Sequence, residues 1–324
     1  MTTPGRTFCS FAVDTIVSLL DALQSQFTGL RAAEDLEYLH RTRVATRRLR
    51  SALPLFADCF PDGDAKRWNR GISRLTRTLG EARDLDVQME YLDEELRSAG
   101  PKEERGIARL RLRLRQRRDK LQGRIRALLD SDAVKAPLAD MAEGLRTAAE
   151  REVLGEGERV SFAVCPEEIR RRIAEAVSYD RFVRNPEAVT ELHELRKAMK
   201  RLRYALEILG PLYDGALDPF IRRAKKMQDL LGSIHDRDVW IDLLPGFLEE
   251  ERLRSLRFYG HGRSFGALRP GIAGLLEKKK ALRSREYALF LDEWDALAKE
   301  GFWNDLKTEG ETLSPSGERG VGKG

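Results

Sequence analysis

The feature that most limits what this chain can become is a stretch that occurs twice. Residues 39–50 read Leu-His-Arg-Thr-Arg-Val-Ala-Thr-Arg-Arg-Leu-Arg, and residues 192–203 read Leu-His-Glu-Leu-Arg-Lys-Ala-Met-Lys-Arg-Leu-Arg. At an offset of 153, Leu39, His40, Arg43, Arg48, Leu49, Arg50, Ala52 and Leu53 recur as Leu192, His193, Arg196, Arg201, Leu202, Arg203, Ala205 and Leu206, and Arg47 recurs as Lys200. At an offset of 152, Leu79, Gly80, Asp84, Asp86, Val87 and Leu92 recur as Leu231, Gly232, Asp236, Asp238, Val239 and Leu244, with His235 where the first copy has Arg83. Two blocks in the same order at nearly the same offset imply a duplicated unit. Its halves are expected at 8–155 and 160–307, divided near the glycine- and proline-bearing segment 154–166. A duplicated unit is expected to pack with pseudo-two-fold symmetry, so that its equivalent basic helices line one central groove.

The periodicity is helical throughout. Phe8, Phe11, Ala12, Ile16, Leu19, Leu20 and Leu23 form one apolar face, and no stretch sustains the two-residue alternation of a strand. We therefore expect an all-α chain of two pseudo-two-fold-related helical bundles with a basic central cavity. Helices are expected over 34–57, over 65–98 with a bend at Gly80, over 102–130, 133–152, 167–182 and 187–209, then over 217–232 and 236–257 separately, and over about 272–306. Residues 259–271 are rich in glycine and read as a loop. The segment 308–324 has glycines, serines and no apolar seam, and is expected to be a disordered tail.

Hydrophobic residues make up 41% of the 324, enough for a core, while charged residues make up 34% against about a quarter in ordinary globular domains. The net charge of +5 is small, so any anion binding must come from local clusters. The three cysteines, Cys9, Cys59 and Cys165, lie far apart with no Cys-x-x-Cys spacing, and are expected to be reduced thiols of a cytoplasmic protein. No apolar run is expected to span a membrane and no secretory signal is recognised.

On a helix, His40, Arg43, Arg47 and Arg50 fall within an arc of roughly 80°, as do His193, Arg196, Lys200 and Arg203. Like charges stacked this way repel, and the first stripe holds no acidic residue, so an anionic partner explains it better than solvation. Arg70 and Arg74, and their counterparts Arg222 and Lys226, add further basic rows. The denser run at 105–126 has Glu103, Glu104 and Asp119 close by and reads as an ordinary solvated face. For the histidines we rank anion contact first, a structural hydrogen bond second and metal binding third. The aspartates 84, 86, 236 and 238 read as helix N-caps or as groups that orient the arginines. Catalysis by them ranks low.

A histidine followed by Arg-x-x-x-(Arg/Lys)-Arg-Leu-Arg, twice, each followed by Leu-Gly-x-x-(Arg/His)-Asp-x-Asp-Val, resembles the CHAD family (conserved histidine α-helical domain) over about 8–306. The resemblance implies two related helical bundles around a basic cavity that binds inorganic polyphosphate, and an association with polyphosphate granules. Carried over by motif, His40, Arg43, Arg47, Arg50, His193, Arg196, Lys200 and Arg203 would face the ligand, and we add Arg48, Arg201, Arg70, Arg74, Arg222 and Lys226 as supporting cations. The Glu-x-Glu-x-Lys mark of the triphosphate-tunnel domain that accompanies some relatives is not found here. The expectation is thus a binding module with no cofactor, no metal and no membrane partner. The alternatives are a phosphohydrolase or phosphotransferase using the histidines or aspartates, and a nucleic-acid scaffold. The tryptophans, at 68, 240, 294 and 303, lie outside the basic motif, which disfavours single-stranded nucleic acid. Oligomeric state and the preferred length of polyphosphate are left open.

Overall fold

The computed structural model describes residues 7–32 and 36–312. No strand occurs among them, as the helical periodicity predicts. The first half comprises α1 (Phe8–Gln24), α2 (Phe27–Ala32), α3 (Leu36–Leu55), α4 (Asp64–Ser98), α5 (Pro101–Asp130) and α6 (Asp132–Val153). The second comprises α7 (Val164–Val177), α8 (Asp180–Val183), α9 (Val189–Leu209), α10 (Asp218–Tyr259), α11 (Arg263–Gly266), α12 (Arg269–Lys299) and α13 (Phe302–Thr312).

The packing follows the same order in both halves. Helix α1 lies on α3 and α6, α3 on α4, and α4 on α5; correspondingly α7 lies on α9 and α13, α9 on α10, and α10 on α12. Each basic helix turns one apolar face inward, with Leu39, Leu49, Ala52 and Leu53 buried on α3 and Leu192, Leu195, Met199, Leu202 and Leu206 on α9. Thr42 and Thr46 are buried too, and each hydroxyl donates to a carbonyl of its own helix, Tyr38 and Arg43 respectively.

The halves meet most extensively at α5–α12 and at α3–α9. At the α5–α12 contact Gly106 and Gly271 are required, because a Cβ at either would strike the facing backbone of Leu268 or Glu103. Lys279 of α12 is fully buried close by; its Nζ sits 3.2 Å from the centre of the Tyr91 ring and 4.8 Å from that of Trp240. Burial pushes this ammonium down to about 7.

Several expectations are corrected. Helix α4 runs unbroken through Gly80, and α10 runs unbroken through Gly232, so 217–257 is one helix rather than two. The aspartates after these glycines are therefore mid-helix and cap nothing. The expected loop at 259–271 holds the short helix α11 and the start of α12. Helix α13 continues to Thr312, five residues into the expected tail; the rest of that segment, 313–324, lies outside the described residues.

Cys9 and Cys59 form a disulfide that joins α1 to the 3-10 turn Ala57–Cys59 after α3. The expectation of three reduced thiols fails because α1 packs along α3 and brings together cysteines 50 residues apart in sequence. Cys165 alone keeps its thiol, buried at the start of α7. The stretch Phe8–Ala32 is, by length and composition, apolar enough to cross a membrane, against the expectation from sequence. In the fold its apolar residues, among them Phe8, Ile16, Leu20 and Leu23, are buried in the core.

Candidate basic cleft

The α3–α9 contact is built around cations. On α3, Arg43 crosses Gly80 of α4, where a Cβ would stand 4.0 Å from its Nε, and its Nη2 lies 3.5 Å from the Asp84 carboxylate. On α9, Arg196 crosses Gly232 of α10 in the same way, with a Cβ there 3.8 Å from its Nε. At either glycine a Cβ would meet the guanidinium only at ordinary van der Waals distance, so the two positions are equivalent crossings rather than cut-outs. The Nε atoms of Arg43, Arg47 and Arg196 are all buried and have no hydrogen-bond partner. Buried donors without acceptors are costly and normally mark a missing partner.

Arg47 lies at the centre. Its guanidinium is 5.4 Å from the centre of the Tyr204 ring, and that of Arg203 is 4.7 Å from it. Burial lowers the Arg47 pKa, and Arg43, Arg203 and Arg196 lower it further. Lys200 is pushed down to about 7, first by burial and then by Arg47, Arg196, Arg43 and Arg50. The depression records the burial of the amine first and the four guanidinium groups crowded around it second. The cleft that results has a volume of about 290 Å³ and is lined by Arg43, Arg47, Arg50, Lys200, Arg201 and Tyr204, with Ser51, Thr76, Gly80 and Lys197 completing it.

The other sequence-derived cations are placed differently. Arg50 reaches the cleft but also donates from Nε to Asn69 at 2.9 Å. Arg201 is clamped by Glu175 of α7. Arg203 donates to Gln228 and Glu207, both at 2.9 Å. Arg48 points into a separate cavity. Arg70 and Arg74 are exposed along α4 outside the cleft. Lys226 is bonded to Glu293 of α12, and Arg222 lies beside it on an open shelf.

His40 is exposed and is not part of the cleft lining. His193 instead meets His235, Nδ1 to Nδ1 at 3.0 Å with ring centres 4.2 Å apart. Burial depresses both, His235 to about 4, with help from Arg196. Burial thus favours the neutral form of both rings, which are hydrogen-bonded to each other. Among the described residues, no group of three or more His, Cys, Asp or Glu side chains converges as a metal site would.

The aspartates divide by position. Asp84 faces Arg43, and the charge of Arg196 reaches Asp236. Asp86 and Asp238 instead pack against the next helix, where the buried Asp86 pairs with Arg118 of α5 at 2.8 Å and Asp238 pairs with Arg283 of α12. They tie α4 to α5 and α10 to α12 and do not orient the basic helices. In the run at 105–126, Arg109 and Arg113 pair with Glu251, Arg111 with Asp93 and Arg118 with Asp86, all from other helices rather than from the neighbouring Glu103, Glu104 or Asp119.

Tyr204 and Lys197 are the cleft residues that the motif leaves out. Counted from His193 at 100° per residue, they fall at roughly 20° and 40°, just past the edge of the basic arc that His193 marks. Tyr204 is one ring, already covered by two guanidinium groups, and so does not amount to a stacking platform.

The sequence model of the CHAD domain matches residues 15–245, more than half of the chain. No curated protein matches. The fold is similar to the crystal structure of the CHAD domain from the plant Ricinus communis, with a TM-score of 0.60 and 19% identity over 97% of this chain and 95% of that one. It is similar also to PptA from Streptomyces chartreusis, with a TM-score of 0.59 and 15% identity over 87% of this chain and 99% of that one.

Proposed function

Because the chain belongs to the CHAD family, we propose that the cleft between α3 and α9 binds inorganic polyphosphate. One observation carries this reading: three buried guanidinium Nε atoms, of Arg43, Arg47 and Arg196, lack acceptors around a lysine depressed to about 7. A phosphate chain supplies both what is missing and nothing superfluous. Its oxygens accept from guanidinium forks through paired hydrogen bonds, and its charge releases counterions on binding. Binding to granules rich in polyphosphate, in the cytoplasm, accompanies this ligand. The Cys9–Cys59 disulfide is the one feature that runs against a reducing compartment, and imaging of the tagged chain in cells that store polyphosphate decides the question.

We read the protein as a binder and not an enzyme. The carboxylates nearest the cleft are spoken for by arginines, and the paired histidines are neutral and bonded to each other. Phosphate release from polyphosphate, dependent on His40 or Asp84, is the result that would instead establish a phosphohydrolase.

The test is competition. Unlabelled polyphosphate is expected to displace a labelled polyphosphate far better than single-stranded DNA of equal charge at physiological salt; equal competition refutes the reading. Arg43→Ala with Arg196→Ala is expected to lower the salt slope of log K by about 1.4, from roughly 0.7 per lost contact. An unchanged slope excludes these two as contacts.

A further inference from the structure

A second cavity is larger than the basic cleft. It has a volume of about 660 Å³ and lies between α1, the end of α9 and the start of α10, within the range of small-molecule sites. Its walls are mainly apolar, from Phe11, Leu19, Ile208 and Ile221, with Arg48, Glu207 and Asp218 at its polar edge. It meets the basic cleft at Tyr204, which lines both. The Tyr204 ring is almost wholly buried and its hydroxyl has no hydrogen-bond partner.

Arg48 sharpens the point. Its counterpart Arg201 is held by Glu175, whereas Arg48 is exposed and makes no ion pair among the described residues. A chain of phosphate alone has no use for an apolar wall, nor for two carboxylates at its edge. A purine or pyrimidine with its sugar does: the ring buries against the apolar wall, and amino or hydroxyl groups donate to Asp218 and to Glu207 alongside its bond from Arg203.

We propose that this cavity holds the nucleoside end of a nucleoside polyphosphate whose phosphates run past Tyr204 into the basic cleft. Arg48 holds the phosphate nearest the sugar. The proposal rests on the reading of the cleft as a phosphate site, and adds that the protein distinguishes polyphosphates that carry a nucleoside cap.

ATP and inorganic tripolyphosphate, which have the same number of phosphates, make the comparison by calorimetry at fixed salt without magnesium. ATP is expected to bind at least tenfold more tightly. Adenosine is expected to weaken ATP binding while leaving tripolyphosphate binding unchanged. Leu19→Trp, which fills the cavity, is expected to abolish the advantage of ATP and to keep tripolyphosphate affinity within twofold of wild type; Ile208→Trp serves if that variant loses its helical signal. Equal affinities in the wild type, or an advantage that survives in a folded cavity-filling variant, overturn the proposal. Tripolyphosphate that fails to bind the wild type overturns the cleft reading, and with it the shared phosphate track.

Discussion

Helices α3 and α9 carry the same basic spacing and hold it in different states. On α9, Arg201 is clamped by Glu175, Arg203 is occupied by Gln228 and Glu207, and Lys200 is depressed to about 7. On α3, Arg47 has no acceptor at Nε, Arg48 makes no ion pair among the described residues, and Arg50 has only a neutral amide. The α3 wall is thus cationic at any working pH, with Arg43 alone facing a carboxylate, while the α9 wall is spent at Arg201 and Arg203, conditional on pH at Lys200 and open at Arg196. Repetition in sequence preserved where the cations stand but not how each is balanced, since the balancing groups come from other helices.

The widest expected difference between the halves is mechanical. In the first, the Cys9–Cys59 disulfide fastens α1 to the turn after α3; at the corresponding place in the second, the thiol of Cys165 and the buried Tyr213 pack without a covalent link. For a separation of 50 residues the chain-entropy estimate is about 4 kcal/mol. Cys9→Ser with Cys59→Ser, or reduction of the wild type, is expected to lower the urea midpoint and to split unfolding into two steps, the first half going first. A midpoint indifferent to reductant removes the distinction between the halves.

The cleft gives the next effect. Arg47→Ala is expected to weaken polyphosphate binding about a hundredfold at pH 8, as loss of a charge-assisted fork costs roughly 1.5–3 kcal/mol. Lys200→Ala is expected to cost about tenfold at the same pH, because the amine is largely neutral there before the ligand arrives. Phosphate must then draw in a proton, so wild-type affinity falls as pH rises above about 7, by up to tenfold per unit, and Lys200→Met flattens the profile. The unliganded protein shows the opposite trend in stability. The unfolded lysine holds its proton up to the ordinary 10.5 while the folded one loses it near 7, so stability rises with pH across that window. Equal losses for Arg47→Ala and Lys200→Ala, with no pH dependence, make the two walls equivalent.

What the sequence discloses about these walls follows from the kind of physics involved. The arcs on α3 and α9 are local, set by 100° per residue; of their members Arg43, Arg47, Arg50 and Lys200 line the cleft, and His40 does not. Arg43 and Arg196 cross the repeated glycines Gly80 and Gly232, although those glycines read as a bend or a break and are neither. The disulfide, the pairing of Asp86 with Arg118 and of Asp238 with Arg283, and Lys279 between Tyr91 and Trp240 join groups from separate helices. Such partners depend on how the helices are laid together, which no periodicity within one segment encodes.

The smallest effect concerns the residue where the copies differ outright, Arg83 against His235. With the two Nδ1 atoms 3.0 Å apart, one ring donates and the other accepts, and a second proton would set two N–H groups against each other. His235 therefore titrates near 4 in the folded protein and near 6.5 when unfolded. The unfolded chain takes up more protons between those values, so stability falls as pH drops from 6.5 to 4. His235→Gln keeps an amide within reach of His193 and removes the titration. It is expected to lower the proton uptake on acid unfolding by about one, while polyphosphate affinity at pH 7 changes less than twofold. If affinity instead drops tenfold or more, the pair touches the ligand after all, and anion contact, which the sequence alone favours for the histidines, is the better account of the second wall.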